Sequence, residues 1–277
     1  MDRDLKVAAI SLECPGGRGE IVLDRMAQIA GELSRDGVEV LCFPEACLTG
    51  YSVGEEASAW SEPLSGPLVQ ATRELTVGLG IFLMAGLMER GEGGALHITH
   101  VAFGPAGEMA VYRKTHLSPQ ERRVFVAGDR PGVFSLGPAV GGVALCFEGH
   151  FPEWIARLAL LGAEILFFPH ASPHEPPREK SERWLRYLPA RAYDNSAFVV
   201  ACNQGGENGG GLTFPAVALI LDPKGRVVAS QTGEREAVAV ATLSAGELAR
   251  VRSHPMAFFL GQRRPELYGP DGPDRKA

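Results

Sequence analysis

The feature that most constrains this 277-residue chain is the alternation of short apolar runs with segments of helical hydrophobic spacing. Runs such as Val143–Cys146 and Ile165–Phe168 are apolar throughout, which predicts strands buried on both faces of a sheet. Between Ile21 and Leu33, apolar residues recur three or four positions apart, which predicts a helix. Strands that alternate with helices predict a layered α/β protein.

The predicted elements occur twice in a similar order. Each half runs strand, helix, strand, helix and then a hairpin, so we expect internal pseudo-symmetry within a single domain spanning residues 1–277. Further helices are predicted from Pro152 and from Glu179, the latter divided at Pro189, and Gly205–Gly211 is predicted to be a mobile loop. The predicted strands are Val7–Leu12, Val38–Phe43, Ile81–Gly86, His100–Phe103, Met109–Tyr112, Val143–Cys146, Ile165–Phe168, Phe198–Cys202, Val217–Leu221, Val227–Ser230 and Ala237–Thr242.

Charge and cysteine usage argue against several classes of function. A net charge of −6 disfavours a nucleic-acid partner, because such binding needs a basic surface. No apolar run approaches the roughly 20 residues that span a bilayer, and the first residues lack the pattern of a signal peptide. The five cysteines contain no CxxC pair, which predicts free thiols in a reducing compartment. We therefore expect a cytoplasmic protein with no membrane partner and no metal or other cofactor.

Three predicted strands end at or next to a residue with useful chemistry, namely Glu45, Lys114 and Cys146. Strand ends are where a rigid scaffold usually presents catalytic groups. Taken singly, each is better explained as a solvated charge or an inert buried thiol. Taken together, they could supply a base, an oxyanion-stabilising ammonium and a thiol nucleophile. Burial would raise the pKa of the carboxyl toward neutrality, so the set needs no histidine.

These residues lie in segments that resemble the nitrilase superfamily of carbon–nitrogen hydrolases, and the resemblance covers nearly the whole chain. Three active-site segments occur in the same order and at similar spacing, which makes the resemblance specific. The matching segments are Phe43–Glu45 followed by Leu48–Tyr51, Tyr112–Leu117, Cys146–Glu153, Arg191–Asn195 and Arg264–Tyr268.

The resemblance implies a fold and a set of roles. The fold would be a four-layer α-β-β-α sandwich, in which two mixed β-sheets face each other with helices outside. Glu45 would be the general base, Lys114 would stabilise the tetrahedral intermediate, and Cys146 would form the acyl-enzyme. A second glutamate often follows the lysine in this family, and Glu121 is the residue in that position. The resemblance also implies a homodimer or higher homo-oligomer, with the tail from about residue 253 in the interface.

The substrate class stays open at the level of sequence. We expect a small linear carboxamide that releases ammonia, with an N-carbamoyl amine or amino acid, or a nitrile, as alternatives that use the same thiol attack. An acyl transferase or a non-catalytic binding protein on this fold is the alternative from another class. Glu148 stands where many members have aspartate, which makes the substrate class less certain. The predicted substrate-binding residues are Tyr51, Phe147, Glu148, His170, Ala171, Ser172 and Asn203, with Gln204 as a further pocket candidate.

Neighbouring side chains offer alternatives that the sequence does not favour. His150 follows Cys146 by four residues, but with Glu45 as the base it is better explained as a pocket-lining or structural residue. Arg178 and Lys180 suit either a substrate carboxylate or a solvated helix face. A metal site is disfavoured because one short turn cannot easily bring together ligands at Cys146, Glu148, His150 and Glu153.

Overall fold

The structure, a computed structural model, describes residues 1–268; residues 269–277 of the predicted C-terminal tail lie outside the described residues. The helices are α1 (Gly19–Arg35), α2 (Glu56–Trp60), α3 (Pro67–Leu79), α4 (Pro152–Leu160), α5 (Pro177–Trp184), α6 (Leu188–Asn195) and α7 (Ala245–Ser253). The strands are β1 (Leu5–Ser11), β2 (Val40–Cys42), β3 (Phe82–Arg90), β4 (Leu96–Phe103), β5 (Met109–Arg113), β6 (Gly132–Ser135), β7 (Val140–Val143), β8 (Ile165–His170), β9 (Phe198–Asn203), β10 (Gly206–Glu207), β11 (Thr213–Phe214), β12 (Ala216–Leu221), β13 (Val227–Gly233) and β14 (Ala237–Leu243).

Two six-stranded sheets share one internal plan. Their strand orders are β14-β1-β2-β3-β4-β5 and β13-β12-β9-β8-β7-β6. In the first sheet β1, β2 and β3 are parallel, and β4 and β5 follow as antiparallel strands. In the second, β7, β8 and β9 are parallel, and β12 and β13 follow in the same way. Each sheet ends in one further antiparallel strand, β14 or β6, so the predicted pseudo-symmetry is confirmed.

The two sheets pack face to face, with helices against their outer faces. The alternation of side chains along β8 shows these layers, because successive residues of a strand point to opposite faces. Ile165 and Phe167 lie in the apolar core between the sheets, whereas Leu166 and Phe168 pack with residues of α4, α5 and α6. The side chains of β1 alternate in the same way between the central core and the layer under α1 and α3. The predicted α-β-β-α sandwich with two mixed sheets is confirmed.

The bounds of helix α3 were not predicted, because threonines occupy part of its buried face. Thr72 and Thr76 are buried there beside Val69, which interrupts the apolar pattern in the sequence. Each threonine hydroxyl donates to the carbonyl oxygen four residues earlier, at 2.7 Å in both cases. These bonds satisfy the hydroxyls inside the protein, so the helix can bury them. The predicted division at Pro189 is confirmed, since α5 and α6 are separate helices.

The glycine-rich segment Gly205–Gly211 was predicted as a mobile loop, but part of it forms a small hairpin. Strand β10 pairs with β11 in an antiparallel two-stranded sheet. The side chain of Asn208 organises the turn, because its Oδ1 accepts from the N–H groups of Gly210 and Leu212. Its Nδ2 donates to the carbonyl of Tyr51 at 2.8 Å, which ties the hairpin to the other half of the chain.

Within residues 1–268, no helix is both long and apolar enough to cross a membrane.

All five cysteines are free, as predicted. The thiols of Cys42 in β2 and Cys202 in β9 lie 3.9 Å apart, which shows how closely the two sheets approach each other.

Truncation of a side chain in this central core should destabilise the protein strongly. Phe167→Ala removes a fully buried ring between the sheets, and we expect it to cost about 3–5 kcal/mol of unfolding free energy. Val227→Ala is the control, because Val227 lies in edge strand β13 with a largely exposed side chain. It should cost less than about 1 kcal/mol. Chemical denaturation measures both, and equal losses would contradict this account of the core.

Candidate active site

Three of the four predicted catalytic residues follow the ends of strands. Glu45 follows β2 and Lys114 follows β5 in the first sheet, whereas Cys146 follows β7 in the second. Strands β2 and β5 run in the same direction, because β3 is parallel to β2 and two antiparallel steps then lead to β5. The carboxyl ends of β2 and β5 therefore lie at the same edge of the sheet. The sheet plan thus brings a carboxylate and an ammonium together from positions 69 residues apart in the chain.

Lys114 is held between two carboxylates. Its Nζ lies 2.8 Å from Oε1 of Glu45 and 2.8 Å from Oε1 of Glu121, and the three side chains are at most 3% exposed. Burial alone would lower the pKa of Lys114, but the negative charges of Glu45 and Glu121 raise it well above its usual value. Lys114 is therefore a permanent buried cation whose charge is compensated on two sides.

Glu45 is fixed by groups from the second sheet as well as by Lys114. Its Oε2 accepts the N–H of Ala171 at 2.8 Å, and its backbone carbonyl accepts Nε2 of Gln204 at 2.7 Å. Burial raises the pKa of Glu45 to about 7, an effect that Lys114 opposes and the charge of Glu121 reinforces. A carboxyl with this pKa can both accept and release a proton near neutrality.

Glu121 is positioned by its own short 3₁₀ turn and by Tyr51. The backbone N–H of Ser118 donates to Oε2 of Glu121 at 2.6 Å, and the hydroxyl of Tyr51 donates to Oε1 at 3.1 Å. The predicted catalytic residue Glu121 and the predicted substrate-binding residue Tyr51 therefore belong to one buried network around Lys114.

Cys146 opens a 3₁₀ turn that ends at His150. Strand β7 ends at Val143, so the prediction that this strand runs to Cys146 was wrong. The reason is the backbone of Cys146, whose φ of 46° is left-handed and incompatible with a strand. A non-glycine residue in this region is strained, and such strain concentrates at functional sites.

Cys146 differs from the other four cysteines in being partly exposed as a residue. Burial and the neighbouring charge of Glu45 raise the pKa of Cys146 to about 12, while Lys114 opposes the rise. The resting side chain is therefore a protonated thiol rather than a thiolate. Such a thiol becomes a good nucleophile only when a nearby base removes its proton during the attack.

His150, the alternative base, makes its ring contact with Tyr187. The two ring centroids lie 4.5 Å apart. Burial lowers the pKa of His150, and the charges of Arg183 and Arg191 lower it further.

Three of the predicted substrate-binding residues, Ala171, Ser172 and Asn203, lie on the Glu45 side of the site. Ser172 follows Ala171, and its N–H donates to Oδ1 of Asn203 at 2.9 Å. The Nδ2 of Asn203 donates to the carbonyls of Ser172 and Pro215 at 3.1 and 2.9 Å, so both polar ends of the Asn203 amide are bound within the protein.

His170 and Phe147 are placed differently. His170 is buried, with Nδ1 2.7 Å from the Phe168 carbonyl oxygen and its ring on Trp184. Burial lowers the pKa of His170 to about 3, so the ring stays neutral. Phe147 is half-buried beside Cys146, with its ring against Phe151. Glu148 is fully buried and faces the lysine segment.

A cationic cluster beside Ser172, in which Lys180 is buried and Arg183 is partly exposed, was not recognised from the sequence. Nζ of Lys180 donates to Oγ of Ser172 at 2.8 Å, and an Nη of Arg183 donates to the same oxygen at 3.2 Å. Glu175 lies 3.3 Å from Lys180 and 3.2 Å from Arg183, so it partly neutralises the two charges. The solvated-face interpretation is therefore wrong for Lys180 and correct for Arg178, which is exposed. Lys180 is buried by contacts with Ser172 and Glu175 of the preceding loop, and these give no local signal in the sequence.

The chain matches the carbon–nitrogen hydrolase family over residues 6–253. This protein belongs to the carbon–nitrogen hydrolase family. A nitrilase from Pyrococcus abyssi is 30% identical to it over 243 residues, which cover 86% of this chain and 88% of the relative. An (R)-stereoselective amidase from Pseudomonas sp is 31% identical over 258 residues, which cover 90% of this chain and 88% of the relative.

A solved structure agrees with these relatives. The amidase from Nesterenkonia sp. AN1 in complex with butyramide superposes with a TM-score of 0.82 at 25% identity, and 96% of each chain is covered. This carbon–nitrogen hydrolase is therefore an amidase-type enzyme of the nitrilase superfamily that acts on non-peptide C–N bonds. Within residues 1–268, no group of three His, Cys, Asp or Glu side chains is arranged to hold a metal ion.

The reactivity of Cys146 should depend on the ionisation of Glu45. Alkylation by iodoacetamide should accelerate as pH rises through about 7, because the carboxylate form of Glu45 accepts the thiol proton. In Glu45→Gln this rise should be absent, and alkylation should increase only at much higher pH. Mass spectrometry of the Cys146 peptide at timed intervals measures the rate.

Glu62→Gln is the matched control for that measurement. Glu62 accepts the N–H groups of Leu68 and Val69 at the start of α3, and its glutamine variant should retain the wild-type profile. A wild-type pH profile in Glu45→Gln would contradict the coupling of Glu45 to the thiol.

Proposed function

We propose that this carbon–nitrogen hydrolase converts a small linear carboxamide into a carboxylic acid and ammonia through an acyl-enzyme at Cys146. The observation that carries the proposal is the buried Glu45–Lys114–Glu121 network, whose charges act on Cys146, the one cysteine of the five that is partly exposed. Amidases among its relatives support the substrate class, including a 2-oxoglutaramate amidase from Bacillus subtilis at 31% identity.

In the first step Glu45 takes the proton of Cys146 as the sulfur attacks the amide carbon. The thiol pKa of about 12 leaves almost no free thiolate at neutral pH, so proton removal and attack must be coupled. The carbonyl oxygen becomes an oxyanion, and Lys114 is the buried cation available to stabilise it. Glu121 and Tyr51 hold Lys114 in place during this change of charge.

In the second step the tetrahedral intermediate collapses. The proton held by Glu45 moves to the nitrogen, the C–N bond breaks, ammonia leaves, and a thioester remains on Cys146. Water then attacks the thioester while Glu45 accepts one of its protons, and this proton returns to the sulfur as the carboxylic acid is released. A carboxyl with a pKa of about 7 suits these alternating roles, because it is poised between its two forms at neutral pH.

An N-carbamoyl amino acid is the second candidate substrate. The observation that favours it is the cationic cluster of Lys180 and Arg183 at Ser172, where Glu175 compensates only one of the two positive charges. A substrate carboxylate could pair with the remaining charge. An N-carbamoylputrescine amidase from Solanum lycopersicum, 30% identical over 230 residues, shows carbamoyl chemistry among the relatives.

We also propose a homodimer or higher homo-oligomer that uses the C-terminal tail. Tyr193 of α6 packs against Phe259 of the tail with ring centroids 5.3 Å apart, and both rings are partly exposed. Met256, Leu267 and Tyr268 add exposed apolar surface, which a partner subunit would cover. The cytoplasmic location stays a prediction from the sequence.

Ammonia release against a panel of linear carboxamides, N-carbamoyl compounds and nitriles tests the proposal. We expect release from short carboxamides, and Cys146→Ala should reduce it by more than about 1,000-fold because the nucleophile is lost. Cys14→Ala, which changes a fully buried thiol, should retain the wild-type rate. Release that survives Cys146→Ala would contradict the nucleophile, and release from nitriles alone would contradict the substrate class.

A further inference from the structure

The carboxylate of Glu148 is directed toward the lysine segment. It is fully buried. Its Oε1 accepts the backbone N–H of Thr115 at 2.8 Å, the hydroxyl of Thr115 at 2.6 Å and the backbone N–H of His116 at 3.0 Å. These two residues directly follow Lys114, so one oxygen of Glu148 fixes the chain just beyond the catalytic lysine.

The same carboxylate also binds the segments before Lys114 and before Cys146. Its Oε2 accepts the N–H of Leu145 at 2.7 Å, and Leu145 directly precedes Cys146. The hydroxyl of Tyr112 lies 2.7 Å from both oxygens of Glu148. One carboxylate therefore connects the last residues of β5, the chain after Lys114 and the turn that carries Cys146.

This carboxylate is stable inside the protein because it is fully hydrogen-bonded. Burial would raise the pKa of Glu148, but hydrogen bonds from His116, Thr115, Tyr112 and the Leu145 backbone outweigh it, and the pKa is lowered. Glu148 thus stays ionised, and charge-assisted bonds of this kind are stronger than those to a neutral acceptor. A side chain with its oxygens committed in this way has little capacity left for a substrate, contrary to the expectation from the sequence.

The connection matters because Lys114 and Cys146 come from different sheets. No backbone pairing joins β5 to β7, whose strands lie in separate sheets. The left-handed backbone at Cys146 also needs support from its surroundings. The carboxylate of Glu148 spans this gap, from the N–H of Leu145 to those of Thr115 and His116.

We propose that Glu148 is a positioning residue that sets the placement of Cys146 relative to Lys114 and, through Lys114, relative to Glu45. This role rests on the proposed thiol mechanism. Glu148 stands where many family members have aspartate. In this proposal its function is to set the geometry of the site and not to contact the substrate.

Glu148→Gln tests the proposal, because one amide NH₂ must then face an N–H or hydroxyl donor and break part of the connection. We expect kcat to fall by about 100-fold, as for a misplacement of about 1 Å, while KM changes little. In a plot of kcat/KM against pH, the ascending limb reports the ionisation of Glu45. This limb should move to a pH above about 7. Glu45 faces Lys114, Glu121 and Cys146, and of these only Lys114 lowers its pKa, so displacement of Lys114 raises it.

Glu148→Asp and Glu62→Gln are the comparison variants. Glu148→Asp keeps the charge and should recover much of the activity and the wild-type pH limb. Glu62→Gln alters a structural carboxylate at α3 and should leave both kcat and the limb unchanged, even where the melting temperature falls. If Glu148→Gln does not fold, Tyr112→Phe and Thr115→Val each remove one donor and should shift the limb in the same direction by less.

The pH dependence of Cys146 alkylation is measured in all variants alongside turnover. It needs no substrate, so a wrong assignment of the carboxamide leaves this test valid. Wild-type kcat and an unmoved pH limb in folded Glu148→Gln, or in both donor variants, would overturn the proposal. An increase in KM at constant kcat would also overturn it, since that pattern indicates direct contact with the substrate.

Discussion

The structure depends on the buried ammonium of Lys114, which lies 2.8 Å from each of two carboxylates. Removing one partner of a buried ion pair typically costs about 3–5 kcal/mol, because the other charge is left without compensation. Glu45 and Lys114 must therefore arrive together from the ends of β2 and β5. The mixed order of the first sheet makes this possible, since it directs both strands to the same edge.

The same network connects the two sheets at the site. Glu45 belongs to the first sheet, yet its carboxylate and carbonyl are bound by Ala171 and Gln204, which follow β8 and β9 of the second. Glu148 makes the converse connection, from the turn after β7 to the residues around Lys114. The apolar core holds the sheets together over most of their area, and these polar bonds fix their relative placement where the chemistry takes place. Groups with strongly shifted pKa values cluster there, as is typical of active sites.

Much of the fold, and the grouping of the candidate catalytic residues, could be predicted from the sequence. Continuous apolar runs such as Ile165–Phe168 indicated strands buried on both faces, and proline at 189 indicated a divided helix. The three strand ends identified Glu45, Lys114 and Cys146 because the set is chemically coherent, and the structure places Glu121 on Lys114 as well.

Other features depend on contacts between distant parts of the chain and gave no local signal. The threonines of α3 are buried only because their hydroxyls bind within the helix. In the sequence, Lys180 suited either a substrate carboxylate or a solvated helix face, whereas in the structure it is buried against Ser172 and Glu175 of the preceding loop. Glu148 appeared to be a substrate contact because it lies two residues from Cys146, whereas its partners lie more than 30 residues away in the lysine segment.

The most direct test of the account is the position of a bound carboxamide in a crystal structure of Cys146→Ala. The account predicts that the amide carbon lies about 3–3.5 Å from the position of the missing sulfur, with its oxygen within hydrogen-bond distance of Lys114 Nζ. The amide nitrogen should lie on the side of Glu45. An amide bound with its oxygen directed away from Lys114, or out of reach of the carboxylate of Glu45, would contradict the account.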